Sequence, residues 1–344
     1  MLNAGVTTPN ALSPVLEAHV SMFACPACGG PLSLDAVSAK CAKCAHTYAV
    51  TDGLPRLFVP NNWDRKSDVT DAMKTFYEET PFPNYDNVDS KWRLIEKAER
   101  GLFANLLNKQ ILYGVKILEA GCGTGQLTNY LGVAAGRMVI GADMCVNSLR
   151  LAENFRAKND IANAAFVQMN LFRPSFKPES FDVVISNGVL HHTSDPYAAF
   201  RSILGLVKKG GFVVVGLYNT YGRLPTDARR VFFRLTGGAF RSLDPHLRSK
   251  MSSDKKRAWF MDQYRNPHES KHTMGEVLQW FDENAVEFVN GVPKPAMAPF
   301  GENEKLFKPT SRGTPTSRLA AQLNLILTSG WEGGLFIMIG RKKA

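Results

Sequence analysis

From residue 115 onward, short apolar runs alternate with stretches of helical length. Val115–Leu118, Met138–Ile140, Ala165–Val167, Val183–Ile185 and Phe212–Val215 read as strands, and the gaps between them are mostly helix-sized. That spacing predicts a parallel sheet built from β-α-β units. Two later runs, Val286–Val289 and Leu335–Ile339, would add strands at the sheet edge. Residues 90–108 read as one helix, with Trp92, Ile95, Leu102, Phe103 and Leu106 near one face. Asp195-Pro196 is a helix start, a capping acid before Pro at the first helical position. Lys208-Lys209-Gly210-Gly211 reads as the end of that helix, with cations near its C-terminus and glycines for the reversal.

The N-terminal quarter has a different texture. Residues 1–22 read as a flexible arm, and residues 23–59 as a compact unit holding two cysteine pairs and a Gly29-Gly30-Pro31 turn. Residues 60–89 are a polar linker running into a helix. Within them Pro81-Phe82-Pro83-Asn84-Tyr85 cannot be helical and reads as a candidate lid.

The 344 residues are 44% hydrophobic with a net charge of +10, so disorder is excluded as a whole-chain description. No apolar run approaches the roughly 20 residues that span a bilayer. The first 24 residues show no basic stretch leading into an apolar one, so a cytoplasmic protein is expected. The charge is uneven. Residues 1–90 carry 6 basic and 10 acidic side chains, whereas residues 221–258 carry 10 and 3. Such a patch is a solvated face by default, and it also suits phosphate, nucleic acid or an anionic membrane.

Cys25-x-x-Cys28 and Cys41-x-x-Cys44 are separated by 12 residues. Zinc takes four thiolates in a tetrahedron, and two such knuckles close the site with no open position, so the metal expected here is structural. A unit of this size has little core and needs such a staple. His46 is redundant as a ligand, and Cys122 and Cys145 read as small core residues. With Tyr48 and Asp52-Gly53-Leu54-Pro55, the cysteine pattern resembles the short zinc-ribbon proteins that activate tRNA and release-factor methyltransferases. The resemblance covers about a tenth of the chain.

Ile117-Leu118-Glu119-Ala120-Gly121-Cys122-Gly123-Thr124-Gly125 leaves a strand and opens a helix, and the next strand ends in Gly141-Ala142-Asp143. The third glycine of a dinucleotide fingerprint would stand at Gln126, so the spacing is Gly-x-Gly-x-Gly. Phe181–His192 supplies a fourth strand and its loop. Together these segments resemble class I S-adenosylmethionine-dependent methyltransferases over about residues 90–220, in wording nearest the ubiquinone-biosynthesis branch. The resemblance implies an α/β fold: a Rossmann-like, seven-stranded, mostly parallel methyltransferase sheet, here with a small N-terminal zinc ribbon. It implies that Gly121, Gly123 and Gly125, with Glu119, line the methionine end of S-adenosylmethionine. Asp143 would accept from the ribose hydroxyls, with Met144 beside the adenine. Asn170 stands where the family usually has Asp, and Leu171 and Asn187 complete the cofactor set.

The sulfonium is an activated methyl donor, so positioning and exclusion of water carry much of the reaction, and a base is needed only if the acceptor must lose a proton. Candidates for that chemistry are His191 and His192 after the fourth strand, Tyr218 and Tyr221 after the fifth, and His268. Arg223 is a candidate anchor for an anionic group on the acceptor. His268-Glu269-Ser270-Lys271-His272 matches the zinc-peptidase pattern H-E-x-x-H. That chemistry needs both histidines on one helix, whereas Thr273-Met274-Gly275-Glu276 reads as a capping box that starts the helix later. A peptidase is rejected.

Residues 221–283 read as a basic insertion capping the substrate, and residues 284–344 as the terminal strands. Arg229–Leu235 is basic and apolar together, which suits peripheral membrane contact as well as a core helix. The expected acceptor is a small or lipid-like molecule. One alternative is an RNA base, because a zinc ribbon joined to a methyltransferase also resembles rRNA guanine methyltransferases. The basic residues, however, lack the interleaved aromatics of a single-strand platform. A second alternative is a non-catalytic partner that activates another protein.

Overall fold

Strands buried on both faces read as unbroken apolar runs, and such runs here assemble one sheet of seven strands. The computed structural model describes residues 11–63, 68–81, 85 and 88–344. Residues 1–10 of the expected arm, 64–67 of the linker and Phe82–Asn84 of the expected lid lie outside them.

The chain begins with α1 (Pro14–Ala18), capped by Ser13. A four-stranded antiparallel ribbon follows, with strands β1 (Leu32–Leu34), β2 (Ser38–Cys41), β3 (Thr47–Thr51) and β4 (Leu54–Pro55) in sequence order. Along β3 the side chains alternate exposed and buried, so Tyr48 and Val50 face inward. The ribbon is welded to the sheet rather than tethered. Arg56 pairs with Gln168 as a parallel bridge, Leu57 N–H donates to Gln168 O at 3.0 Å, and Phe23 bridges Phe176. Its Leu32, Ala39, Tyr48 and Val50 belong to the same apolar cluster as Leu118 and Val184 of the sheet.

Helices α2 (Thr70–Glu79), α3 (Lys91–Glu99) and α4 (Leu102–Gln110) lead into the sheet. The single helix expected over 90–108 is thus two. Gly101 leaves helical geometry at φ −86°, ψ 106° and caps α4, which turns Leu94 of α3 and Leu106 and Leu107 of α4 into one core cluster. Then come β5 (Lys116–Ala120), α5 (Gln126–Gly132), β6 (Met138–Asp143), α6 (Val146–Lys158), β7 (Ala164–Gln168), β8 (Phe181–Asn187), α7 (Pro196–Leu204) and β9 (Val207–Tyr218). Asp195 caps α7 through the Ala198 N–H at 2.9 Å. The helix stops at Leu204, so Lys208–Gly211 belongs to β9 and not to a helix end. Lys208 instead reaches Asp182 at 2.7 Å beside an irregularity in the β8–β9 pairing.

The insertion holds α8 (Leu224–Leu235), α9 (Pro245–Arg248), α10 (Ser253–Phe260), a π-helical turn over Met261–Arg265, and α11 (Met274–Glu283). The capping box on Thr273 and Glu276 is present, and residues 268–272 precede that helix. The chain closes with β10 (Val286–Val292), α12 (Pro315–Glu332) and β11 (Leu335–Lys342).

The sheet order is β10-β11-β9-β8-β5-β6-β7, with β11 antiparallel to both neighbours and the rest parallel. Only β10 of the two late strands lies at the edge. The uninterrupted apolar run of β11 suits a place between two strands, whereas β10 exposes Glu287.

One buried guanidinium fastens the insertion to this frame. Arg223 has no exposed side-chain surface. Its Nε and Nη2 donate to Glu269 at 3.0 and 2.5 Å, and its Nη1 donates to Gln263 Oε1 and Gly333 O. Its plane lies 3.8 Å from the Tyr218 ring centroid. Arg230 adds a third bond to Glu269 at 2.9 Å. Burial alone would raise the Glu269 carboxyl, but the two guanidiniums hold it below its ordinary value. Arg223 is therefore internal and does not anchor an acceptor. Truncating Arg223 leaves the buried Glu269 with Arg230 alone and takes the donor from Gln263 Oε1 and Gly333 O. Arg223→Met should cost about 3–5 kcal/mol of unfolding free energy in urea titrations. A loss well under 1 kcal/mol would show that the pair does not fasten the insertion.

Candidate active site

The C-terminal ends of parallel strands are where open α/β sheets bind ligands. Here that edge is hollow. A cavity of about 450 Å³ is lined by residues that follow β5, β6, β7, β8 and β9, and closed by Thr70, Met73 and Tyr77 of α2 and by Trp259, Asp262 and Gln263 of the insertion.

The floor is the glycine loop after β5. Gly121 takes φ +84°, and a Cβ there would lie 2.4 Å from Val189, so only glycine fits. Gly121 and Gly123 line the cavity, whereas Gly125 does not. A Cβ on Gly125, at φ +70°, would meet the Phe166 ring at 2.4 Å and Ala152 at 2.7 Å. Its glycine lets α5 sit close on the sheet.

Glu119 is buried beside this loop, and its Oε2 accepts from Thr128 N–H at 2.9 Å and Thr128 Oγ1 at 2.5 Å. Burial pushes its carboxyl up to about 7, against those bonds and with Asp143 adding to the rise. Asp143 ends β6. Its Oδ2 accepts from Gly123 N–H at 2.8 Å and its Oδ1 from Cys145 N–H at 2.9 Å, so it also shapes the loop. Burial raises this carboxyl too.

Met144, Asn170, Leu171 and Asn187 line the same cavity. Gln168 Nε2 donates to Met144 O at 2.9 Å, and Gln168 is the residue that pairs with the ribbon's Arg56. Asn170 is committed elsewhere. Its Nδ2 donates to Val59 O and Asn61 Oδ1, both at 2.8 Å, and its Oδ1 accepts from Phe172 N–H at 3.0 Å. An Asp here would bring a carboxylate against two oxygens, so the amide of Asn is what fits.

At the opposite wall the two histidines part company. His191 is fully buried, and its Nδ1 accepts from Tyr218 N–H at 3.3 Å. Its ring packs 4.0 Å from that of Tyr218, and its Nε2 has no partner among the described residues. It does not line the cavity. His192 does. Its Nδ1 donates to His268 O at 2.8 Å, which leaves Nε2 as the acceptor, and burial lowers its pKa so that the ring is neutral. Tyr218 also lines the cavity, with its hydroxyl accepting from Gln263 Nε2 at 2.8 Å. Tyr221 is half-buried and outside the lining, and so is His268, which gives its carbonyl to His192 and lines a separate cavity.

Three lining residues carry no motif in the sequence. Tyr77 donates to Asp262 Oδ1 at 2.9 Å, and Gln263 Nε2 donates to Asp262 Oδ2 at 2.8 Å. The one available signal was Asp262-Gln263 set inside the aromatic stretch Trp259-Phe260 to Tyr264, a polar pair where a helix packs.

The ribbon brings its four cysteines together as free thiols. Cys25 and Cys44 Sγ lie 3.8 Å apart, Cys28 and Cys41 Sγ 3.5 Å, and all four are within 4.8 Å of one another. A tetrahedron with Zn–S bonds of about 2.3 Å has edges of about 3.8 Å, so the sulfurs fit. Gly30 keeps the site open, because a Cβ there would sit 3.1 and 3.3 Å from two of the sulfurs and 2.6 Å from Lys43 Cβ.

The Glu119 carboxyl makes a titration prediction. Its folded pKa of about 7 lies above the ordinary 4.5, so its neutral form contributes stability fully present below pH 4.5 and lost as pH rises through about 7. Relative to Glu119→Gln, the ligand-free wild type should lose about 1–3 kcal/mol across that window. Parallel stability curves for the two proteins would contradict it.

Residues 118–215 match the family model described as a methyltransferase domain. A ubiquinone biosynthesis O-methyltransferase of Neisseria meningitidis is 32% identical over 31% of this chain and 46% of its own length. An uncharacterized protein of Synechococcus is 23% identical over 69% of this chain and 64% of its own. An S-adenosylmethionine-dependent methyltransferase structure from Methanosarcina mazei covers 69% of this chain and 97% of its own, with a TM-score of 0.44 and 17% identity. The chain spans about half the length of the ubiquinone-type relatives it matches. Residues 118–215 thus form a methyltransferase domain of the class I S-adenosylmethionine-dependent kind.

Proposed function

We propose that this protein transfers a methyl group from S-adenosylmethionine to a small or lipid-like acceptor, with a structural zinc in its ribbon. The observation that carries the reading is that one cavity joins two kinds of wall. One of its walls holds the glycine loop, Glu119 and Asp143, and the other holds His192, Tyr218, Tyr77 and Asp262.

When bound, S-adenosylmethionine supplies a methyl group already activated by its sulfonium. The chain's part is to hold and orient. Asp143 accepts from the ribose hydroxyls, the Gly121–Gly123 backbone admits the methionine portion, and Met144 and Leu171 flank the adenine. Asn170 acts indirectly, by fixing Val59 and Asn61 against the adenine end. The insertion excludes water from the reacting atoms, which strengthens every electrostatic contact inside. His192 takes a proton from an acceptor hydroxyl or amine at Nε2, since its Nδ1–H is held by His268 O and its ring is neutral. Tyr218 and Gln263 orient the acceptor.

The acceptor wall is largely apolar, with Met73, Val189, Trp259 and Leu335 around one polar cluster, which supports a small or lipid-like acceptor. The activity named for the Neisseria relative agrees with it. In cell extract, label from the methyl group should enter the lipid and small-molecule fractions. Label in RNA alone would overturn this choice of acceptor.

Asp143→Ala should weaken S-adenosylhomocysteine binding in calorimetry by about 1.5–3 kcal/mol, the range for hydrogen bonds to a charged group. His192→Ala should leave that affinity near wild type and reduce methyl transfer roughly 100- to 10,000-fold. An unchanged affinity in the first variant, or full turnover in the second, would contradict the assignment.

Metal analysis of the purified chain should find one zinc, and Cys25→Ser should lose it together with stability. Well under one zinc per chain, with Cys25→Ser as stable as wild type, would exclude the metal.

A further inference from the structure

Amphipathic surface helices turn their apolar stripe inward. Helix α8 does the reverse. Leu224, Ala228, Val231, Phe232 and Leu235 follow the i, i+4, i+7, i+8, i+11 spacing of one helical face, and all five are exposed, Leu235 to 81%. The opposite face packs inward through Thr226, through Phe233 in an apolar cluster with Leu247 and Phe260, and through Arg230, whose guanidinium is held by Glu269. The exposed stripe continues beyond the helix. Phe240 is 66% exposed, its ring centroid 6.0 Å from that of Phe232, and Leu243 is 55% exposed. Phe240 is held at φ +58°, a conformation bulky residues rarely adopt.

The charge of this segment is predominantly positive, with Asp254 its one exposed acid. Arg234 on α8 and Arg241, Arg248, Lys250 and Arg257 in the segment that follows it are exposed. Two of the three acids of residues 221–258 are already engaged. Asp227 pairs with Arg230 and Lys271, and Asp244 caps α9 and accepts from Trp259 and Tyr264. A covering partner must therefore be both apolar and anionic. A second copy joined about a two-fold axis would set this basic surface against itself. Nucleic acid fits less well, since most of the stripe is aliphatic and offers little on which bases stack.

We infer that residues 224–257 form a docking surface for an anionic lipid bilayer. Helix α8 lies along the membrane, with Leu224, Val231, Phe232, Leu235 and Phe240 in the acyl boundary and the flanking arginines at phosphate level. The surface is independent of the methyltransferase reading, so its test uses the full chain without cofactor.

The test is sedimentation with vesicles of phosphatidylcholine alone and with vesicles containing roughly one-third phosphatidylglycerol. The protein should bind the anionic vesicles at least about tenfold more tightly, with binding that weakens as salt rises. Phe232→Glu with Leu235→Glu should reduce binding about tenfold or more. Arg234→Glu should reduce it about fivefold or more. All three side chains are exposed, so the thermal midpoints should match wild type. Three results would overturn the inference: no binding to either vesicle, variants that bind like wild type, or a concentration-dependent dimer that Leu235→Glu dissociates. Binding to an RNA oligonucleotide that competes the vesicles away would also overturn it, in favour of a nucleic-acid surface.

Discussion

A guanidinium with no access to water must find a partner for its donors within the fold, and Arg223 finds them across three separate parts of the chain. Glu269 and Gln263 come from the insertion and the Gly333 carbonyl from the turn before β11, while the Tyr218 ring at the end of β9 lies under its plane. The pair thereby fixes where the insertion meets the sheet. Gln263 then holds the Tyr218 hydroxyl, Asp262 holds Tyr77, and His268 presents its carbonyl to His192. The polar face of the cavity follows from one buried charge being satisfied.

The other end of the cavity depends on the ribbon. Arg56 and Leu57 extend the sheet at Gln168, whose side chain holds Met144, while Asn170 holds Val59 and Asn61. A four-cysteine unit with little core of its own shares an apolar cluster with the seven-stranded sheet. A change in the ribbon should therefore be felt at the cavity wall that Met144 and Asn170 form.

Most of the sheet was legible because buried parallel strands must be apolar on both faces, and Val183–Ile185 and Phe212–Val215 are. What misled was local. Residues 90–108 carry one continuous helical pattern, but Gly101 breaks it so that two short helices present Leu94 and Leu106 to the same core. Lys208–Gly211 resembles a helix end, and strand pairing with β8 overrides that local signal. Strand order, too, depends on partners that lie far apart in sequence: β11 lies inside the sheet and β10 at its rim. Within the site, the glycine loop and Asp143 were readable because a tight turn and an acid at a strand end are local features. Gly125 showed the same motif but meets the Phe166 ring instead of the cavity. Adjacent His191 and His192 could not be told apart, since only the turn after β8 decides which ring faces the cavity. Tyr77, Asp262 and Gln263 were invisible because they converge from positions about 185 residues apart.

In the proposed reaction donor and acceptor meet in one cavity, with the cofactor seated on the β5–β6 side and its sulfur turned toward His192 and Tyr218. A crystal structure of the full chain with S-adenosylhomocysteine tests this most directly. The ribose hydroxyls should lie within hydrogen-bond distance of Asp143, with the sulfur facing the wall that carries His192, Tyr218 and Asp262. Cofactor bound away from Asp143, or with its sulfur turned from that wall, would contradict it.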